Sequence, residues 1–416
     1  MMRRALAIAC MCACTLAPRG AAFASGDQAT GTLARGGTYV VQQDPASPVT
    51  AIALWFRAPA AGYDGATPGI SRLAAAAAAS SPLATGKSLA HFVRDLGGRF
   101  SINIFADLVG VDALVPNAQA RRVIAAMTAA YFAPTIDDAS LTMARRDEAV
   151  AFVTQRYSLG STLQTALAMA LFAHGPHHDP LLPPSVAAIG SIPRDAVSSF
   201  AHQAFASSNA VLAVVGNVSP DIVRAVTDGT PNQGSAPMLD SLPGDEPLDT
   251  TIDAPVAGIG IAWSGPSISD EKAATAMDFL ADQLFSSPPP HVTGQFVTLH
   301  AAGMFFATIS GPSANATKKR VLARIEQLQS PLDAATFARL HAAFLLRIRQ
   351  QTQAPDEVAD EIGWYASEGN AAYAPGDHRG AYWTAATSLT PEYVASIAAR
   401  YFSHPVVVTT KQSATP

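Results

Sequence analysis

The chain has 416 residues, 49% of them apolar and only 14% charged, with a net charge of −5. That is more apolar material than one ordinary core takes up, which suggests two domains, and too little charge for an intrinsically disordered chain. No run of Lys and Arg stands out, so a nucleic-acid-binding surface is excluded, because pairing with phosphates needs a basic stripe.

The first residues read as an export signal. Arg3 and Arg4 give a positive start, residues 5–17 form a short apolar core, and Ala22-Phe23-Ala24 offers small residues where signal cleavage favours them. Cleavage is placed after Ala24, and the mature chain is expected to be periplasmic or secreted. The apolar run is too short to span a bilayer, and no later run is long and uncharged enough to do so, so no integral membrane segment is expected after signal removal. Cys10, Cys12 and Cys14 all fall inside this signal. The residues before each fit a lipidation motif poorly, which weighs against a lipid anchor. The mature chain then has no disulfide, no thiol nucleophile and no thiolate ligand.

The body of the chain repeats itself. From residue 48 it reads PVTAIALWFRAP and from residue 255 PVAGIGIAWSGP, with equal spacing between Pro48 and Pro59 and between Pro255 and Pro266. Both runs fit half-buried strands. Trp55 and Trp263 are read as equivalent core positions of the two copies. After the first run, a poly-Ala stretch at 74–79 predicts a tightly packed helix. Leu89, Phe92, Val93 and Leu96 form one apolar face, and Gly97 ends that helix.

Gly97-Gly98 precedes the strand-like RFSINIF, as Ala302-Gly303 precedes MFFATIS. Helices are predicted at 118–131 and 138–157 in the first copy, and at 270–285, 316–329 and 333–350 in the second. IPRDAVSSFAHQAF from Ile192 matches LTPEYVASIAARYF from Leu389, and each leads into an apolar strand, 210–216 and 406–410. Residues 228–250 are rich in Pro, Gly, Asp and Ser and read as a linker. The expected architecture is α+β: a signal peptide (1–24), a domain at 25–227, the linker, and a homologous domain at 251–416. Each domain is expected to be an antiparallel-rich sheet covered by helices.

Several constellations could carry chemistry. HGPHHD places His174, His177, His178 and Asp179 together; it is either a metal-binding loop or a polar connection, and the Gly-Pro geometry favours the second. Asp107 and Asp112 flank a turn between strands, where turn chemistry explains them more simply than acid–base catalysis. Ser80 and Ser81 sit in no G-x-S-x-G elbow, and neither a phosphate-binding loop nor a dinucleotide fingerprint occurs.

PVTAIALWF, a helix started by Gly69, LGGRFSINIFADLVGVDALVP (96–116) and NAVLAVVGNVSP (209–220), in that order, resemble the N-terminal half of the insulinase (pitrilysin) metallopeptidases, the group of mitochondrial processing peptidase. The internal repeat extends the resemblance over nearly the whole mature chain. It implies two similar α+β domains. In active members it also implies one zinc ion, held by H-x-x-E-H on the first helix and by a distant Glu. Two His at i and i+4 share a helix face and so reach one metal, while the Glu activates its water.

Aligned on Gly69, those motif positions hold Arg72, Ala75 and Ala76, and H-x-x-E-H occurs nowhere in the chain. The third-ligand region falls at Val150–Phe152, with Glu148 near but off register. The resemblance also implies a substrate-holding Arg–Tyr pair, which falls here on Leu299 and Phe306, within VTLHAAGMFF (297–306). No catalytic residue, metal or cofactor is therefore expected. The implied role is that of a non-catalytic subunit which pairs with a zinc-bearing homologue, or with itself, around peptides. Two rivals stand beside it: an active metallopeptidase using an unrecognised site such as the 174–179 loop, and a homodimeric envelope scaffold.

Overall fold

The computed structural model describes residues 28–33, 36–156, 158–227, 237, 239–244, 248–351, 354–369 and 380–412. The proposed signal at 1–24, with its cysteines, lies outside the described residues, as do 228–236 and 245–247 of the linker segment. Among the described residues, no helix is long and apolar enough to cross a membrane.

In chain order the first half contains β1 (Gln28–Thr32), β2 (Thr38–Gln43), β3 (Val49–Arg57), α1 (Ile70–Ser80), α2 (Leu89–Asp95), β4 (Arg99–Ile104), β5 (Leu108–Pro116), α3 (Ala120–Phe132), α4 (Asp138–Arg156), α5 (Leu159–Leu171), β6 (Phe172–His174), α6 (Val186–Ser191), α7 (Arg194–Ala204), β7 (Ala210–Gly216) and α8 (Pro220–Thr227). The second contains β8 (Leu242–Pro243), β9 (Leu248–Ala254), β10 (Gly258–Ser264), α9 (Glu271–Phe285), β11 (Val292–Val297), β12 (Met304–Ser310), α10 (Ala314–Leu328), α11 (Ala334–Gln351), α12 (Pro355–Ser367), α13 (Ala381–Thr387), α14 (Pro391–Tyr401) and β13 (Val406–Gln412). Helix ends fall within a few residues of the sequence expectation. Residues 248–250 of the linker segment belong to β9, and Leu242–Pro243 pairs with β6.

The repeat is visible in the strand order. The first sheet runs β1-β2-β7-β3-β5-β4 and the second runs β9-β13-β10-β12-β11. Leaving β1 aside, the orders coincide, and in each sheet one parallel pair (β2 with β7, β9 with β13) joins otherwise antiparallel neighbours. The fold is α+β, with helices packed on both sheets.

Each sheet is also covered on its second face, and by a helix of the other half. Helix α5 lies on β10, β12 and β13, with Leu163 and Leu167 buried against Phe306 and Val408. Helix α12 lies on β3, β5 and β7, with Val358, Ala359 and Ile362 against Ala53 and Trp55. Both contacts need glycine. A Cβ on Gly363 of α12 would stand 2.1 Å from Trp55 Nε1, and one on Gly260 of β10 would stand 2.7 Å from Leu167 Cδ1. The second cover corrects the expectation of half-buried strands: β3 and β10 are closed on both faces, so their sequences are near-continuously apolar.

It corrects the tryptophans as well. Ile52, Leu54 and Phe56 point to the main core of the first half, whereas Trp55 points to α12. Trp263 points to the main core of the second half. In the register set by the paired prolines, Trp263 matches Phe56. A one-residue offset turns a strand side chain to the opposite face, so the two tryptophans are both buried but not equivalent.

Candidate functional site

The helix aligned with the zinc motif is closed by packing. Gly69 precedes α1 at φ +85°, a conformation glycine adopts without penalty, and a Cβ there would meet Pro183 at 2.9 Å. Ala74, Ala75, Ala77 and Ala78 are wholly buried, which lets α4 and α7 approach closely. Ala75 offers only its carbonyl oxygen, which accepts the Tyr131 hydroxyl at 3.1 Å. Ala76 is half-buried and packs against the core.

Arg72 points at α4. Its Nε lies 3.4 Å from Glu148 Oε2, with the two side chains only 15% and 11% exposed. Residues 148 and 152 are one turn apart and share a helix face. The residues expected near the third-ligand position separate accordingly: Phe152 enters the core, Val150 is 67% exposed, and Glu148 reaches the motif helix. Burial raises the Glu148 carboxyl to about 7, against the opposing pull of Arg72. Burial also lowers Arg72, and Glu148 counters that shift.

These residues do not fit a divalent ion. Zinc takes three or more N, O or S side-chain donors at about 2 Å. Here one carboxylate is present and a guanidinium already occupies the cation's place beside it. Among the described residues, no group of three or more His, Cys, Asp or Glu is arranged to hold a metal.

Leu299 and Phe306, at the positions of the substrate-holding pair, are 3% and 6% exposed and pack with α5. Neither presents a polar atom to a substrate.

The HGPHHD loop separates its members. His174 and His178 are exposed, and His178 Nδ1 lies 2.7 Å from the Phe172 carbonyl oxygen. Asp179 lies against Gly65. Only His177 turns inward, where its Nε2 lies 3.2 Å from Asp107 Oδ2. Asp107 occupies the β4–β5 turn, while Asp112 stands within β5, accepts Asn103 Nδ2 at 2.7 Å, and is raised to about 7 by burial and by Asp360. Ser81 is buried and bonded to the Ala77 carbonyl oxygen.

Asp107 and His177 belong to a polar cluster at the junction of the halves. Sequence reading missed its other members, Arg57, His300 and Glu368, which come from the end of β3, the loop after β11 and the end of α12. Arg57 Nε donates to the Ser367 carbonyl at 2.8 Å, and the His300 backbone N–H donates to Glu368 Oε2 at 2.7 Å. Burial and the neighbouring Asp107 raise Glu368 well above the usual carboxyl range. Burial is the largest influence on Asp107 and would raise it, but the charge and hydrogen bond of His177, with further hydrogen bonds, together hold Asp107 low. Of the two carboxyls, Glu368 therefore holds a proton the more tightly. The space among these residues is about 20 Å³, room for one water and not for a peptide. The cluster joins the halves; its size does not suit a peptidase site.

No protein-family model matches the chain, and no curated protein matches it in sequence. Solved structures match over almost its whole length. A protease from Helicobacter pylori superposes with a TM-score of 0.81 at 14% identity, over 93% of this chain and 100% of that one. A peptidase M16 inactive domain from Pseudomonas fluorescens gives 0.76 at 17% identity, over 94% and 98%. A chain of the Inz-5-bound complex III2 from Candida albicans gives 0.73 at 15% identity, over 92% and 95%. At such identities the likeness establishes the fold, which this chain shares with M16-like peptidases.

Proposed function

We propose that this chain is a non-catalytic homologue of the M16-like peptidases, exported from the cytoplasm, which acts as partner subunit to a zinc-bearing homologue in peptide processing. The observation that carries the proposal is the buried Arg72–Glu148 pair on the motif helix. A fixed guanidinium neutralises the one carboxylate there, and Ala75 and Ala76 stand where a base and a second imidazole would be needed. The apolar burial of Leu299 and Phe306 supports the same reading for the substrate-holding pair.

A partner surface is supported by α4. Met143, Val150 and Val153 are 47%, 67% and 48% exposed along this helix, a stripe that a second subunit would cover. The direct test mixes the purified chain with a zinc-bearing homologue encoded beside it. Co-elution on size exclusion, and a peptide-cleavage rate above that of the homologue alone, are expected. Independent elution with an unchanged rate removes the partner role.

A second test addresses the site itself. Arg72→His with Ala76→His places two imidazoles at i and i+4 facing Glu148. This double variant is expected to take up one zinc, and a further Glu148→Gln to lose it. Stoichiometric zinc in the unaltered chain, with chelator-sensitive peptide cleavage, overturns the non-catalytic reading.

A further inference from the structure

The second half holds a cleft that the proposed function does not use. It has a volume of about 350 Å³, lies among α9, α11, α12, α13 and β11, and is open on one side. That volume falls in the range of small-molecule sites.

Its charge is unbalanced. Asp278 and Asp282 come from α9, Glu361 from α12 and Arg347 from α11. Arg347 grips both carboxylate oxygens of Asp282 through Nε and Nη2. Among the described residues, no cation is paired with Asp278 or Glu361. Asp278 accepts the Tyr382 hydroxyl at 3.1 Å. One Glu361 oxygen, Oε2, is shut away from solvent and has no hydrogen-bond partner among the described residues. That atom has lost its hydration with nothing in exchange, so the Glu361 carboxyl that lines the cleft is short of donors, and a cation in the cleft would compensate the group as a whole.

We propose that this cleft binds an alkylammonium group, delivered either by a lysine side chain of a peptide or by a free aliphatic diamine. An ammonium carries three N–H donors and no acceptor, which suits acceptors spread over Glu361 and Asp278. The walls provided by Phe285, Phe296 and Phe344 suit a methylene stem and place aromatic faces near the charge. A metal ion is disfavoured, because the carboxylates are not gathered as a metal-holding group.

The titration chemistry gives the binding a signature. Burial first, then Glu357, Asp278 and Asp360, raise Glu361 to about 8. Burial and Asp282 raise Asp278 to about 7, against the Tyr382 hydrogen bond. At neutral pH Glu361 is therefore mostly protonated in the free protein. A bound cation favours its ionised form, so binding releases a proton, and affinity rises with pH until Glu361 is ionised without help.

Titration calorimetry on the full chain, with pentane-1,5-diamine, a capped Gly-Lys-Gly peptide and its Nε-acetylated form, tests the inference. The two amines, or the one that matches the natural source, are expected to bind and release a proton, seen by comparing buffers of different ionisation enthalpy. The acetylated peptide is expected to be silent. Glu361→Gln should weaken binding by at least about tenfold. Asp278→Asn serves as a second variant, and an unchanged or higher unfolding temperature shows that each variant folds. Absence of binding by both amines at millimolar concentration, or equal binding by Glu361→Gln, overturns the proposal. Both outcomes are independent of whether the chain partners a peptidase.

Discussion

Helices α1 and α4 of the first half occupy the same places in the repeat as α9 and α11 of the second, and each pair is joined by an arginine and a carboxylate. The polarity is reversed. In the first half the arginine, Arg72, is on the helix next to the central strand and Glu148 is on the long helix. In the second, Asp282 is on the inner helix and Arg347 on the long one. The fold thus tolerates either sign, provided the inner and outer helices are neutralised against each other. The surroundings differ more. Alanines close the first pair into a packed core with one acid for one base. The second borders an open cleft with three acids for one base. The same scaffold sealed one site and left the other available.

The largest effect is expected from Arg72→Leu, which leaves Glu148 inside the first core. Removing one member of a buried pair costs about 3 kcal/mol. Glu148 can escape part of that cost by taking a proton. Its carboxyl is already raised from 4.5 to about 7, so the folded state holds the proton more tightly than the unfolded one. Stability therefore falls as pH rises through that window, and the variant, with its cation gone, should fall further and to higher pH. Urea unfolding at pH 5 and pH 8 checks this; an equal cost at both means that Glu148 is not the group left exposed to the core.

Arg347→Leu is expected to cost less, about 2 kcal/mol, because the cleft lets Asp282 turn toward water and because Arg347 is already 33% exposed. A cost equal to that of Arg72→Leu would show that the two sites are equally dry and would remove the contrast drawn above. Glu361→Gln is expected to stabilise, on the order of 1 kcal/mol at pH 8 and nothing at pH 4. The sign follows from its raised pKa: between the ordinary 4.5 and about 8 the unfolded chain gives up this proton while the folded chain holds it, so stability falls across that window, and glutamine has no proton to hold.

Much of this comparison was open to sequence reading, and the reasons it stopped are physical. The proline spacing and the paired Ile192 and Leu389 segments exposed the repeat, because strand and helix periods survive in a single sequence. Periodicity says which residues share a face but not which element covers it. That is why the crossing of α5 and α12, and the opposite facing of Trp55 and Trp263, emerged only in three dimensions. The motif positions Arg72, Ala75 and Ala76 were readable from the Gly69 register. The partner of Arg72 was not, because the spacing from Glu148 crosses two helices and a strand pair. The junction cluster and the acidic cleft are assembled from segments far apart in the chain, and no local signal marks Glu361 or Glu368.

The smallest effects separate two tyrosines that look alike. Tyr131→Phe removes a donor to the Ala75 carbonyl oxygen. That oxygen also serves the ladder of α1, so no acceptor is left bare, and the cost should be about 0.5–1 kcal/mol at any pH. Tyr382→Phe removes a donor to the Asp278 carboxylate, whose ionised form that bond favours. Its cost should be similar to that of Tyr131→Phe near pH 8 and should shrink below the Asp278 value of about 7, where the protonated carboxyl no longer depends on the bond. Unfolding temperatures across pH 5–8 distinguish the two. Parallel profiles would mean that Asp278 keeps its proton throughout, and that the cleft carries less negative charge than the second half's excess of acids implies.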